Sequence, residues 1–519
     1  MTPDQNPSRS KPGKWDASVD VVVIGLGYAG GVTAIEAHDA GAEVMILEKM
    51  PDPGGISITS GGSVRFVEDV KQGFAYLKAT CADTTPDDVL EALAQGMSEM
   101  PAYFEKLVQV NGARYEKRLN GGNYPFPGRD TFGFISISEV PGFEPAKTYP
   151  YVSSFVPIER APGVRLFHTL YQNIRKRGIE VKLETPAQRL ITDSSGSVIG
   201  VTASHNGRHI AIEARRGVVL TCGGFEAGHD IQRQFWQEKP VLNAAFLGNT
   251  GDGIRMAQDV GAELWHMWHW HGVYGFRHPD PAYPFGLRPK RLPDWVPGVG
   301  ARADVKMPWI IVDRAGRRYM NEYPPYAQDT SWRHMATLDT ETMSYLRIPS
   351  IMIMDAPGRG TYPLVSPTFN DRRLKFDWSE ATLRALEDRI VRKADSVEAL
   401  AEQTGIAHGV LASLLRDWNA ACASGADEAF GRPPSSMMTI ATPPYYWAEV
   451  WPVCSNTHGG PVHDVEQRVL DGYRQPIPGL YAAGECGGVF GHLYIGGGNL
   501  AECFVGGRTA GRNAAQRKL

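Results

Sequence analysis

Apolar positions change rhythm along the chain. Residues 19–24 (VDVVVI) form a continuous β-branched run, and 32–40 (VTAIEAHDA) then take helical spacing. A glycine cluster separates them, so the pattern predicts strand, tight turn and helix. The helix is expected to end at Gly41, and 42–48 (AEVMILE) predict a second buried strand. A crossover of this kind pairs its two strands in parallel. From 181 to 219 short apolar runs alternate with turns, predicting a small antiparallel layer that feeds a core strand at 217–221. Between about 265 and 440 proline and aromatic residues rise and loops lengthen, with two helices predicted across 396–422. Glycine-rich character returns from 445.

These shifts predict an α/β chain with an interrupted first domain: a frayed tail at 1–17, a nucleotide-binding domain at 18–270 and 445–519, and an inserted α+β cap at 271–444. Charge then narrows the partners. Lys and Arg number 53 against 57 Asp and Glu, a net charge of -4, which gives no footprint for nucleic acid or an anionic membrane. No apolar run approaches the roughly 18 residues that span a bilayer, and the polar start (MTPDQNPSRSKPGKWDAS) has no apolar core of a signal peptide. Six cysteines form no C-x-x-C pair, so a reducing cytoplasm is expected. Glycine stands out, at 57 of 519 residues, about 11% against an ordinary share of roughly 7%.

The glycines cluster where chemistry is expected. Gly25, Gly27 and Gly30, with Tyr28 and Ala29 between, make a G-x-G-x-x-G that ends one strand and opens a helix. Glu48 follows at the end of the next strand. Here Gly25 allows the turn, Gly27 brings backbone near a pyrophosphate, Gly30 lets helix pack on strand, and Glu48 accepts from a ribose. The run from Pro53 to Gly62 (PGGISITSGG) is small and hydroxyl-rich, suited to passing close to a flat ring, with Gly55, Ser57, Ser60, Gly61 and Gly62 as candidate contacts. Two more glycine turns follow core strands, one at Gly223–Gly224 and one at Gly484–Glu485.

With these motifs the chain resembles the flavoproteins related to fumarate reductase and 3-ketosteroid dehydrogenases, over 19 to about 515. The resemblance is carried by GLGYAG with LEK, GGISITSGG, TCGGF, GNTGDGIRMAQDVGAEL, DRAGRRYMNE, DWNAACASGADEAFGR, THGGPVHD, PIPGLYAAGE and YIGGGN. It implies a Rossmann-like FAD-binding domain with a catalytic cap, the isoalloxazine between them, and Glu485 on the ribitol. Lys49, Asp252, Asn499 and Leu500 join the expected FAD contacts. No histidine lies in 51–66, where covalently flavinylated relatives carry theirs, so noncovalent FAD is expected. Only one dinucleotide fingerprint is present, which leaves the electron donor or acceptor open.

The same resemblance implies hydrogen transfer across a carbon–carbon bond beside an electron-withdrawing group, with hydride moving between carbon and flavin N5. Three positions depart from the fumarate reductase pattern. Tyr326 stands where the proton-transfer arginine would be, Asn456 where a substrate histidine is expected, and Tyr494-Ile495-Gly496 where an arginine precedes the glycine pair. A dicarboxylate calls for paired cations. The replacements are similar instead to ketosteroid dehydrogenases, in which the positions of Tyr326, Tyr494 and Gly498 carry proton transfer and two donors to the substrate ketone. Two donors on a ketone would stabilise an enolate and acidify the neighbouring C–H. Dehydrogenation of a steroid-like or other bulky cyclic ketone is therefore expected. Reduction of an α,β-unsaturated carboxylate, anchored by Arg333 or His334, is the nearest alternative, and a flavin electron carrier without turnover is a third.

Other candidates read more plainly. His266, His269 and His271 are closely spaced, but lack a carboxylate or cysteine to complete a metal set and are interleaved with tryptophan, as in a hinge or pocket wall. Cys222 and Cys486 suit small-residue packing near FAD. Arg288-Pro289-Lys290-Arg291 reads as a solvated loop. Tyr124 and Tyr151 are candidates for a further assisting tyrosine and stay outside the catalytic set.

Overall fold

A computed structural model describes residues 10–154, 162–296, 299–301, 305–366 and 379–518. The first nine residues of the expected tail lie outside these. The rest of it is tied down: Ser10 bridges Thr192, Asp16 donates to Ala211 O, and the first strand already begins at Ala17.

That strand, β1 (Ala17–Ile24), buries Val21, Val22 and Val23 completely. The helix α1 (Tyr28–Asp39) starts four residues earlier than its apolar spacing suggests, inside the glycine cluster. Gly25 explains this. Its φ of +95° suits glycine, a Cβ there would sit 2.7 Å from Cys222 Cα, and one on Gly30 would sit 2.0 Å from Gly25 O. The glycines thus let the first helical turn close directly on the strand. β2 (Val44–Leu47) pairs in parallel with β1, and β3 (Glu180–Lys182) with β2.

The antiparallel layer is present as β4 (Ala187–Thr192), β5 (Val198–His205) and β6 (Arg208–Leu220). Its last strand and the expected core strand are one continuous 13-residue strand, β6, whose far half runs parallel to β1. Sequence reading separates them because Arg215 and Arg216 interrupt the apolar run; both arginines lie near Asp20 at the strand edge.

A second eight-stranded sheet is mainly antiparallel. It contains β7 (Trp270–Arg277), β8 (Ile310–Val312), β9 (Ser350–Met354) and β10 (Tyr445–Thr457) in the order β8-β9-β10-β7, continued by Gly286–Pro289. The return to the first sheet therefore comes after Thr457 rather than at 445, because β10 is held between β9 and β7 along its length. β11 (Pro476–Ala482) then rejoins the first sheet, parallel to β6, and α2 (Gly498–Gln516) packs along α1. The two helices expected in 396–422 are Val397–Thr404 and His408–Ser424. A small sheet of Ser63–Val67, Arg114–Leu119 and Phe132–Glu139 completes the surroundings of the site. Among the described residues no helix is long and apolar enough to cross a membrane.

Candidate active site

A long cleft runs over the ends of β1, β2 and β6. Its wall includes Gly25, Gly27, Tyr28, Ala29, Glu48, Lys49, Gly55, Ser57, Ser60, Gly223, Asp252, Glu485, Asn499 and Leu500. At one end the Glu48 carboxylate accepts from the Leu26 and Met50 N–H groups, both at 2.8 Å. Burial raises the Glu48 pKa, and these donors act against it. Lys49 closes this end with a 2.6 Å ion pair to Asp252. Further along, Glu485 accepts from Thr457 N at 2.8 Å, and burial pushes its carboxyl up to about 7. Asn249 links it to Glu226, whose pKa burial and the neighbouring Glu485 also raise. At the other end the cleft wall carries two buried polar atoms with no protein partner, Asn456 Nδ2 and Asn499 Oδ1. An open donor and an open acceptor suit the alternating C=O and N–H edge of a flavin ring.

Four of the expected glycines are engaged within the fold, Gly30 in the packing role that its motif spacing implies. Gly30 packs the helix on the strand, and Gly484 leaves no room for a Cβ beside Ala29. Gly224 O accepts from Gly251 N, and the Gly498 N–H donates to Ile495 O at 2.7 Å. Gly498 thus spends the donor expected for a ketone on the turn that starts α2; the neighbouring wall is made by Gly496 and Gly497. Gly61 and Gly62 also face this second cavity rather than the cleft.

The second cavity, of about 710 Å³, adjoins the first along Ile56, Ser60, Asn456, Tyr494 and Leu500. Such a volume takes a drug-sized or polycyclic molecule. Tyr326 and Tyr494 both line it. Tyr494 Oη accepts from Gly497 N at 3.0 Å, so a lone pair is occupied and the hydroxyl proton remains available. Burial raises the Tyr326 pKa above that of an ordinary phenol, with Arg291 acting against the shift. Tyr326 is therefore a neutral acid at neutral pH.

Behind the tyrosines lies a polar cluster built from four segments. Asp329 is fully buried and accepts from Tyr124 Oη at 2.5 Å and Tyr494 N at 3.2 Å. Arg333 approaches the same oxygen at 3.4 Å, and His271 Nδ1 lies 3.6 Å from the other. Burial works against the Asp329 charge, but Arg333, His269 and His271 outweigh it and hold the carboxyl well below its usual range. The His271 ring stacks beside Tyr326 at 5.9 Å and Tyr124 meets Tyr326 edge-on at the same distance. His266 and His269 turn to backbone carbonyls, Gly488 O and Phe490 O.

Arg65 supports the opposite wall. It stacks on Phe134 and donates to Gly496 O at 2.7 Å, Gly121 O at 2.8 Å and Asn123 Oδ1 at 3.1 Å. Burial lowers its pKa to about 10.

Sequence reading brings together Tyr326, Tyr494 and Asn456, but misses Tyr124 as a member of this set, and Asp329, Arg65 and Asn123 altogether. It also misplaces the cations. Arg288 belongs to the strand Gly286–Pro289 and lines the second cavity, whereas Arg291 is the exposed loop residue expected and lies at the rim of the same cavity. Arg333 and His334, the expected alternative anchors, are not on that wall; Arg333 serves Asp329, His269 and His492 O. Tyr151 sits elsewhere, its N–H bonded to Asp52. Cys222 and Cys486 are free thiols in mutual contact.

Comparison with known proteins identifies the family and the fold. A family model described as an FAD binding domain matches residues 20–500. The chain is 28% identical to a 3-oxosteroid 1-dehydrogenase of Mycolicibacterium smegmatis, covering 96% of this chain and 97% of the relative. It is 26% identical to a probable fumarate reductase of Shewanella frigidimarina, over 97% of this chain and 76% of that one. Among solved structures, the 3-ketosteroid delta1-dehydrogenase of Sterolibacterium denitrificans, in complex with 1,4-androstadiene-3,17-dione, superposes with a TM-score of 0.79 at 23% identity, covering 96% of this chain and all of that one. The chain thus belongs to the FAD binding domain family, as an FAD-dependent oxidoreductase of the group that holds the fumarate reductases and ketosteroid dehydrogenases.

Proposed function

We propose that this enzyme moves hydrogen across a carbon–carbon bond adjacent to a ketone, in a bulky cyclic ketone or enone of steroid-like size. The observation that carries the reading is the pair Tyr326 and Tyr494 on one wall of a large cavity that adjoins the cofactor cleft. FAD, when bound, supplies the two-electron exchange with carbon. Tyr494 donates its free hydroxyl proton to the carbonyl oxygen and stabilises the enolate that develops there. Tyr326 moves the proton at the neighbouring carbon. Burial keeps Tyr326 as phenol, which favours proton donation, and so hydrogenation of the enone, at neutral pH; dehydrogenation needs the phenolate and gains at alkaline pH. The cavity wall excludes water and orients the ring system. The second sheet, which carries Tyr326 and Arg288 in or beside its strands, serves in this reading as the catalytic cap.

The test is anaerobic visible spectroscopy of the yellow holoenzyme. Bleaching by a saturated 3-ketosteroid, or reoxidation of the reduced enzyme by the matching enone, supports the proposal. Reoxidation by fumarate and by no ketone overturns it in favour of an unsaturated carboxylate.

A further inference from the structure

We propose that the substrate carries an acid group, and that Arg288 and Arg291 form the anion site that holds it. This rests on the second cavity being the substrate site, as in the reading above, and adds the chemical class of what enters.

Charge in the cavity is unbalanced. Among the described residues, Arg65, Arg118, Arg288 and Arg291 line it or stand behind its wall, against one carboxylate, Asp294, which is engaged by Asn123 at 3.1 Å. Arg65 is spoken for by backbone and amide oxygens. Arg288 is not. It is half-buried, its terminal nitrogen donates to Ser455 Oγ, and its buried Nε has no partner. Among the described residues no carboxylate lies within ion-pair distance of Arg288 or Arg291. A buried Nε–H left open is costly unless something accepts from it. The atoms left open, Nε and the cavity-facing edge of the fork, suit a planar two-oxygen anion. Arg291 is exposed at the same cavity, placed to draw the anion in before Arg288 receives it.

The experiment compares a 3-oxo steroid bearing a side-chain carboxylate with its methyl ester, titrated into holoenzyme and followed by the perturbation of the flavin spectrum. The acid is expected to bind roughly 10- to 100-fold more tightly than the ester. That preference should shrink in Arg288→Gln, be partly kept in Arg288→Lys, and fall with added salt in wild type but less in Arg291→Ala. Equal binding of acid and ester in wild type overturns the anion site and leaves the ketone reading standing. An equal loss of both ligands in Arg288→Gln also overturns it, since Arg288 would then serve the fold or the enolate. If no steroid perturbs the flavin but fumarate does, and Arg288→Gln abolishes this, the anion site stands and the ketone reading falls. Silence from every acid overturns the proposal. The surface variant Arg291→Ala keeps the test open should Arg288→Gln not accumulate as holoenzyme.

Discussion

The Tyr124 hydroxyl donates a 2.5 Å hydrogen bond to Asp329, a carboxylate with no solvent exposure that lies 205 residues away in sequence. Arg333, His269 and His271 share the same charge. Asp329→Ala removes the charge that these groups share; Tyr124 keeps Tyr494 O and Arg333 keeps His492 O, so the cost is about 1–3 kcal/mol. Thermal unfolding of the holoenzyme should show a clear loss of stability together with lowered turnover. An unchanged melting temperature would mean that the cluster is not organised around Asp329.

Tyr326→Phe removes one hydroxyl and little volume. Turnover should fall by about 10²–10⁴ while the flavin spectrum stays that of bound FAD. Near-wild-type kcat would take Tyr326 out of the chemistry and leave Tyr124 as its replacement.

Direction and pH are linked through the same phenol. Because burial raises its pKa, dehydrogenation, which uses the phenolate, should rise by about tenfold per pH unit from neutral into alkaline solution. Hydrogenation, which uses the phenol, should stay level over that range. Dehydrogenation rates that do not change between pH 7 and pH 9, measured as kcat with saturating artificial acceptor, would be incompatible with a Tyr326 base.

Glu502 in α2 offers a stability test at a carboxyl that the proposed chemistry does not use. Its Oε2 accepts from Val489 N at 3.1 Å, its Oε1 is buried without a partner, and burial pushes the carboxyl from 4.5 up to about 8. The folded state thus holds a proton that the unfolded chain loses, so stability falls as pH rises from about 4.5 to about 8. Glu502→Gln removes the ionisation and should flatten that slope, giving a gain on the order of 2 kcal/mol at pH 8 and little at pH 4.5. Parallel stability curves for the two proteins would exclude the effect.

The cofactor half of this architecture is legible because its signals are local. Gly25, Gly30 and Glu48 lie within one strand–helix–strand unit, and each answers to a close approach or a buried donor pair that the spacing already implies. The substrate half is not local. Tyr124, Asp329 and Tyr494 meet only when distant segments fold together, and no spacing along the chain announces it. Arg288 is misread for a related reason: a short basic run looks solvated unless one knows that Gly286–Pro289 is a strand whose side faces a cavity. The boundary at 445 fails because β10 is as apolar and aromatic as a core strand of either sheet.

The position of β11 beside β6 sets an order on biosynthesis. One strand pair of the parallel sheet joins residues more than half the chain apart, since Leu480, Tyr481 and Ala482 pair with Val218, Val219 and Leu220. Until that late segment emerges from the ribosome, β6 presents an open edge to any other extended chain, and the cleft lacks Glu485, Asn499 and Leu500. A cleft without these residues and an unpaired edge on β6 therefore occur together, so cofactor retention and resistance to strand pairing depend on one segment.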